Sequence, residues 1–164
     1  MITSNTYAQL SAAAYSQAGV GAAPAAEGWI RLQSFDDGGT GTGFQAALFE
    51  NSGGERVLAF AGTDPLSPAD LATDAAALAG ETPQQFQQAT RAYNEVVATY
   101  GSSGLSLTGH SLGGGLASFV AAKADQPPST TVFNSLGVKN LVPNGDYPYI
   151  KNINSRFDPA TQFG

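Results

Sequence analysis

Apolar positions change period several times along this chain, and each change marks an element. Tyr7, Leu10 and Ala14 fall on one helical face and predict an amphipathic helix over residues 5–17. A small-residue connector covers 18–28. From 29 to 35 the pattern alternates, with Trp29, Arg31, Gln33 and Phe35 on one face of a strand and Ile30 and Leu32 on the other. Gly38-Gly39 opens a loop before a second strand over 44–50, and the Asn51 to Gly54 cluster reads as a hairpin turn. Val57-Leu58-Ala59-Phe60 is apolar throughout, as a strand covered on both faces should be.

Helical spacing then takes over. Ser67-Pro68 with Asp70 signals a helix start and predicts a helix over 68–78. Thr82-Pro83-Gln84-Gln85 repeats the signal, with Gln85 placed for a capping box. Phe86, Ala89, Tyr93, Val96, Val97 and Tyr100 follow at helical intervals. Leu105–Thr108 is a short buried strand, residues 112–125 a helix rich in Gly, Ala and Leu, and 130–133 and 149–153 two more strands. Strands alternating with helices predict a mostly parallel sheet flanked by helices, in one domain over 1–164.

Composition narrows the possible chemistry. The 164 residues suffice for one hydrophobic core, and 42% are hydrophobic. A net charge of −6 with scattered basic residues offers no footprint for nucleic acid or for anionic lipid head groups. The absence of cysteine excludes disulfides, thiolate metal sites and a cysteine nucleophile. No basic n-region with an apolar core opens the chain, and no apolar run is long enough to span a bilayer. Leaderless export and cytoplasmic residence both suit such a chain, the former slightly better.

The segment Gly109-His110-Ser111-Leu112-Gly113 has the G-x-S-x-G form of a nucleophile elbow. Such a serine needs a sharp strand-to-helix turn, and Gly109 and Gly113 leave room for it because a β-carbon at either place would crowd its neighbours. The N–H of Leu112, at the helix start, is then placed to hold an oxyanion. In a chain with 20 glycines the same letters also describe a solvated turn. A strand-like run before them and a long apolar helix after them select the elbow.

With these residues in place, the chain resembles the class 3 lipase family, which includes fungal triacylglycerol lipases and bacterial phospholipase A1-like proteins. Residues 57–64, ending Phe60-Ala61-Gly62-Thr63-Asp64, are similar to the family's strand ending in Phe-Arg-Gly-Thr, with Ala61 where arginine is usual. Residues 107–123 hold the elbow. Residues 152–159, ending in Asp158-Pro159, are similar to the family's strand followed by an Asp-Pro step. The resemblance implies an α/β-hydrolase fold. It also implies Thr63 as an oxyanion-hole residue through its N–H and hydroxyl, and Asp158 as the triad acid. Read locally, Thr63 also suits a strand-end turn and Asp158 a turn before proline. Asp146 reads as a loop tip and Asp125 as a helix end.

A serine hydroxyl needs a base. The single histidine, His110, precedes Ser111 directly, so its side chain should leave on another side. In this fold the order is serine, acid, histidine, and none of the six residues after Asp158 is histidine. The chain is therefore expected to be incomplete at its C-terminal end. A pseudo-hydrolase, or a histidine from a second chain, are the alternatives. Lys123, Lys139 and Lys151 show no spacing for a serine–lysine dyad. The expected activity is hydrolysis of carboxylic esters, acyl lipids foremost, with no metal or organic cofactor. A non-catalytic module binding an acyl ligand or protein partner is the rival, and a peptidase would use the same triad. An exposed sheet edge is expected to favour self-association.

Overall fold

The computed structural model describes residues 1–15, 26–61, 84–138 and 141–154. The elements are α1 (Ser4–Ala13), β1 (Trp29–Phe35), β2 (Gln45–Asn51), β3 (Arg56–Ala61), α2 (Gln84–Tyr100), β4 (Leu105–His110), α3 (Leu112–Lys123), β5 (Ser129–Phe133) and β6 (Ile150–Ile153). The helix expected over 68–78 lies outside the described residues. So do most of the small-residue connector and the Thr82-Pro83 cap.

The strands form one sheet in chain order, β1 through β6. The first two pairings are antiparallel and the remaining three parallel. Short turns suffice for the antiparallel part. The parallel part needs crossovers, which α2 and α3 supply between β3 and β5. Together these make an α/β sheet, mostly parallel in its second half, with helices on both faces.

Alternation along the central strands sorts side chains between two cores. Leu58, Phe60, Leu105 and Leu107 join Phe86, Val96, Leu116 and Phe119 beneath α2 and α3. The Phe86 and Phe119 rings meet edge to face, 5.0 Å between centroids, and lock the two helices together. On the other face Val57, Ala59 and Ala61 pack with Tyr7, Leu10, Ala14 and Trp29 beneath α1. The apolar run of β3 is thus covered on both sides, as its sequence requires.

In β1 the register of pairing with β2 shifts between Arg31 and Gln33. The strict alternation read from the sequence therefore fails. Trp29 packs beneath α1, while Leu32 and Phe35 both reach the α2–α3 core. A bulge adds one residue and returns the later side chains to the opposite face. Arg31, before the bulge, shares the inward face with Trp29, and its guanidinium donates to the carbonyl of Ala13 at 2.8 Å and to Ser34 Oγ at 3.1 Å, over the Phe49 ring. A cation thus satisfies the C-terminal end of α1.

The capping box read in the sequence involves Thr82, outside the described residues; the side-chain amide of Gln85 donates to the carbonyl of Thr42. Gln88, one turn on, donates to Asp37 O and Thr40 Oγ1 and accepts from Thr42 Oγ1. These bonds fasten the loop before β2 to α2. The Asp37 carboxylate organises that loop by accepting the N–H groups of Gly43 and Gly39, each at 3.0 Å, which hold its pKa below the usual carboxylate range. A depressed pKa means this contribution is present above the unfolded-state value, about 3.9, and is lost as pH falls through the lower folded value. The stability gap between wild type and Asp37→Asn, read from urea midpoints, should therefore be constant at neutral pH and shrink below about pH 4. A gap independent of pH would reject the loop's dependence on that charge.

Among the described residues no helix is long and apolar enough to cross a membrane.

Candidate active site

Strand β4 delivers the chain to its C-terminal edge with alternate side chains pointing to opposite cores. Leu105 and Leu107 enter the α2–α3 core. Ser106 and Thr108 are buried toward α1, so their hydroxyls need partners. Tyr7 Oη donates to Ser106 Oγ at 3.0 Å, and Thr108 Oγ1 donates to the carbonyl of Thr131 at 2.7 Å. Burial pushes the Tyr7 pKa up, which keeps this phenol a donor.

At Ser111 the backbone reverses, with φ 56° and ψ −121°. Among the described residues only Ser111 and Asn134 combine a positive φ with a β-carbon. Such geometry costs energy and persists where surroundings over-determine it. Here the surroundings are three backbone bonds. The Ser111 N–H donates to Phe133 O at 3.0 Å, and the Ser111 carbonyl accepts from Gly115 N at 3.1 Å and Leu136 N at 3.1 Å.

The glycines on either side explain why the turn closes. A β-carbon at Gly109 would stand 2.3 Å from Gly113 O, and one at Gly113 would stand 2.1 Å from Phe60 O. Helix α3 therefore presses its first turn directly on the backbone of β3 and β4. Gly114 belongs to the same contact, since its β-carbon would lie 2.8 Å from Ser135 Cβ. That role was missed in the sequence. Three consecutive glycines inside a helix, each costing about 1 kcal/mol against alanine, are the signal that something approaches closely there.

Ser111 is 8% exposed, and its Oγ has no hydrogen-bond partner among the described residues. A nucleophile elbow pushes its hydroxyl outward above the sheet. It stands at the sheet edge as expected, one residue beyond the last β4–β5 pair, but it is enclosed. It does not cap its helix either, although it occupies the N-cap position. Strained backbone positions cluster at functional sites, and an unpaired buried hydroxyl calls for an explanation. The next residue, Leu112, opens α3, and the N–H of a first helical residue has no acceptor within the helix. Its side chain anchors in the α2–α3 core.

His110 faces α1. It lines a cavity with Ala8, Ser11, Ala12, Tyr15 and Phe133, and its carbonyl accepts from Tyr15 Oη at 3.2 Å. Thr63 and Asp158 lie outside the described residues. The strands that lead to them are described: Phe60 of β3 pairs with Gly109, and Ile153 of β6 pairs with Phe133. Both strands thus end at the sheet edge where Ser111 stands.

Sequence reading missed the bend after β5. Asn134, at φ 45°, donates its N–H to Ile153 O at 3.0 Å, and Ser135 N donates to Asn152 Oδ1 at 3.3 Å. The bend places Leu136 N–H on the Ser111 carbonyl. An Asn-Ser pair directly after a strand is a turn signal, since asparagine tolerates the left-handed region. Nothing local says that the turn grips a residue more than twenty positions earlier.

Comparison with known proteins agrees with this geometry. A family model described as a Tle-like phospholipase domain matches residues 6–148. The extracellular phospholipase A1 of Serratia liquefaciens is 38% identical over 104 residues, which are 63% of this chain and 31% of that protein. The match therefore spans about a third of the relative's length. The solved structure of Lip2 lipase from Yarrowia lipolytica superimposes with a TM-score of 0.62 at 17% identity, covering 95% of this chain and 71% of that one. The α/β-hydrolase fold expected from the sequence is thereby shown.

Proposed function

The chain belongs to the family of Tle-like phospholipase domains, and on that premise we propose that it is a lipolytic carboxylic-ester hydrolase with Ser111 as nucleophile. One observation carries the reading: Ser111 sits in a left-handed turn between β4 and α3 with its buried hydroxyl unpaired, beside the N–H of Leu112. The phospholipase A1 relative points to acyl lipids as the substrate class.

In this reading Ser111 Oγ attacks the ester carbonyl carbon while a base takes its proton. The carbonyl oxygen becomes an oxyanion, held by Leu112 N–H and by the N–H and hydroxyl of Thr63. The tetrahedral species collapses, the alcohol leaves with the proton, and an acyl-serine remains. Water, deprotonated by the same base, releases the fatty acid and restores Ser111. Asp158 orients the base. His110 is a poor candidate for that base, because it faces the α1 side and belongs to the elbow itself. The 164 residues contain no other histidine, so the base comes from outside them. Without it, turnover should fall to the residual level of about 10³–10⁴ over water that the oxyanion donors and binding support.

The test is covalent labelling by a fluorophosphonate, followed by peptide mapping. The label should fall on Ser111, slowly in this chain and faster when imidazole is added as an exogenous base. Equal labelling of Ser111→Ala would reject the assignment. The rival reading, a non-catalytic acyl-binding module, is favoured by the place of His110, which faces the α1 side. It predicts no ester turnover with any added base.

A further inference from the structure

The oxyanion donor at Leu112 is a backbone N–H, so no side chain of its own sets its direction. The peptide group that carries it joins Ser111 to Leu112, and such a group is planar and trans. Its carbonyl and its N–H point opposite ways in one plane. Whatever fixes the Ser111 carbonyl therefore also aims the Leu112 N–H. That carbonyl accepts from Gly115 N, within α3, and from Leu136 N, in the bend after β5, each at 3.1 Å. The Gly115 bond is an ordinary helical bond. The Leu136 bond exists only while the bend keeps its shape.

That shape depends on the edge strand β6. Phe133 is the last residue of β5 to pair with it, opposite Ile153. Asn134 N–H donates to Ile153 O at 3.0 Å, and Asn134 then turns the backbone at φ 45°. The next N–H, that of Ser135, has left the ladder. Ser135 is buried, so this donor needs an acceptor. Asn152 Oδ1 supplies one at 3.3 Å. Asn152 is the register partner of Val132, whose side chain enters the α2–α3 core, and so stands on that face of the sheet. There Ser135 lies against Gly114 in the first turn of α3.

We propose that Asn152 is a positioning residue for the nucleophile elbow. By holding the Ser135 N–H it sets the bend, the bend sets the Ser111 carbonyl, and that carbonyl aims the Leu112 N–H at the oxyanion. The proposal rests on the hydrolase reading for the reaction, while the hold of Asn152 on the bend can be measured without catalysis. Asn152 is exposed on an edge strand, so replacing it leaves both cores intact. What the side chain must offer is an oxygen acceptor on Cγ. Asn152→Asp keeps it. Asn152→Ala and Asn152→Val remove it, and valine also favours a strand, so one of the two remains informative if the other loosens β6.

The experiment has two arms, both on the full chain. The first measures labelling of Ser111 by an alkyl fluorophosphonate with imidazole present, as a limiting rate and a half-saturating concentration. Ser111 Oγ bonds to phosphorus, fluoride leaves, the serine proton passes to imidazole, and the phosphoryl oxygen takes the oxyanion position. Asn152→Ala and Asn152→Val should lower the limiting rate about ten-fold, less than the roughly 10²–10³ lost with an oxyanion donor itself. The half-saturating concentration should not move. Asn152→Asp and the neighbouring control Lys151→Ala should label at the wild-type rate. Equal slowing in Asn152→Asp, or a change in half-saturating concentration alone, overturns the proposal.

The second arm reads amide hydrogen exchange by NMR. Asn152→Ala should speed exchange at Ser135 and Leu136 about ten-fold, the scale of one hydrogen bond, and leave Leu107 of β4 unchanged. Asn152→Asp should restore both. Unchanged exchange at Leu136 overturns the proposal, as does an acceleration that includes Leu107, which would be a general loss of stability. If the wild type takes no label, the hydrolase reading fails, and exchange at Leu136 still decides whether Asn152 holds the bend.

Discussion

Gly113→Ala is expected to yield a chain that does not fold stably. The new β-carbon would lie 2.1 Å from Phe60 O, 2.8 Å from Phe60 C and 3.2 Å from Ala61 Cα. All three are backbone atoms, so no rotamer change relieves the overlap. Helix α3 would have to withdraw from β3, and Leu112, Leu116 and Phe119 would lose their seats in the core. Overpacking against side chains costs about 1–3 kcal/mol. Against backbone in a strand we expect more than about 4 kcal/mol, a large part of the roughly 5–15 kcal/mol that holds a domain together. The neighbouring glycines should rank by what they meet. Gly109→Ala, facing Gly113 backbone, should be nearly as damaging, and Gly114→Ala, facing the Ser135 side chain, less so. Gly115→Ala, whose nearest atom is Leu136 O at 3.3 Å, should lie near break-even, because alanine's helix propensity returns about 1 kcal/mol. Gly145→Ala, with nothing within 4 Å, is the control. Urea denaturation of the five variants checks the order. A Gly113→Ala protein that melts with the wild type would mean α3 does not press on β3.

Ser111→Gly should remove all covalent labelling and yet raise stability. Two costs disappear together. The left-handed geometry at φ 56° is strain of about 1–3 kcal/mol for a residue with a β-carbon, and glycine adopts it freely. The buried, unpaired hydroxyl carries a further desolvation penalty of about 1–3 kcal/mol. Against them stands the greater unfolded-state freedom of glycine, about 0.5–1 kcal/mol. The balance favours the variant by about 1 kcal/mol or more, a rise of roughly 2–4 °C in Tm for a domain of this size. Ser111→Ala loses the hydroxyl and keeps the strained backbone, so it should fall between the two. Calorimetry on the three proteins separates the contributions. If the glycine form is no more stable than the wild type, position 111 is not held under strain.

The sequence made the elements legible because burial imposes period. Two-sided burial of β3 and the helical spacing of α2 survive in the residue pattern, and the elbow glycines stand out because a turn of that shape admits little else. What was hidden depends on contacts between distant segments. The β1 bulge shifts which face Leu32 and Phe35 serve, and only pairing with β2 reveals it. Gln85 also reaches the Thr42 carbonyl, a bond across distant segments that no local signal reports. The grip of Leu136 on the Ser111 carbonyl joins two backbones and involves no side-chain type that a pattern could register. The enclosure of the Ser111 hydroxyl has the same origin, since exposure is set by what surrounds the edge and not by the five letters of the motif.

Helix α1 is fastened to a strand it meets late. Its Tyr7 bonds to Ser106, 99 residues further along, and Tyr15 bonds to the carbonyl of His110, 95 residues on. On a ribosome adding about 5–20 residues per second, α1 therefore waits about 5–20 s for these partners. Throughout that interval the apolar stripe of Tyr7, Leu10 and Ala14 has only part of its cover, from Trp29 and β3. A helix made early is thus fully secured late, and the nascent chain stays open to chaperones until β4 has emerged.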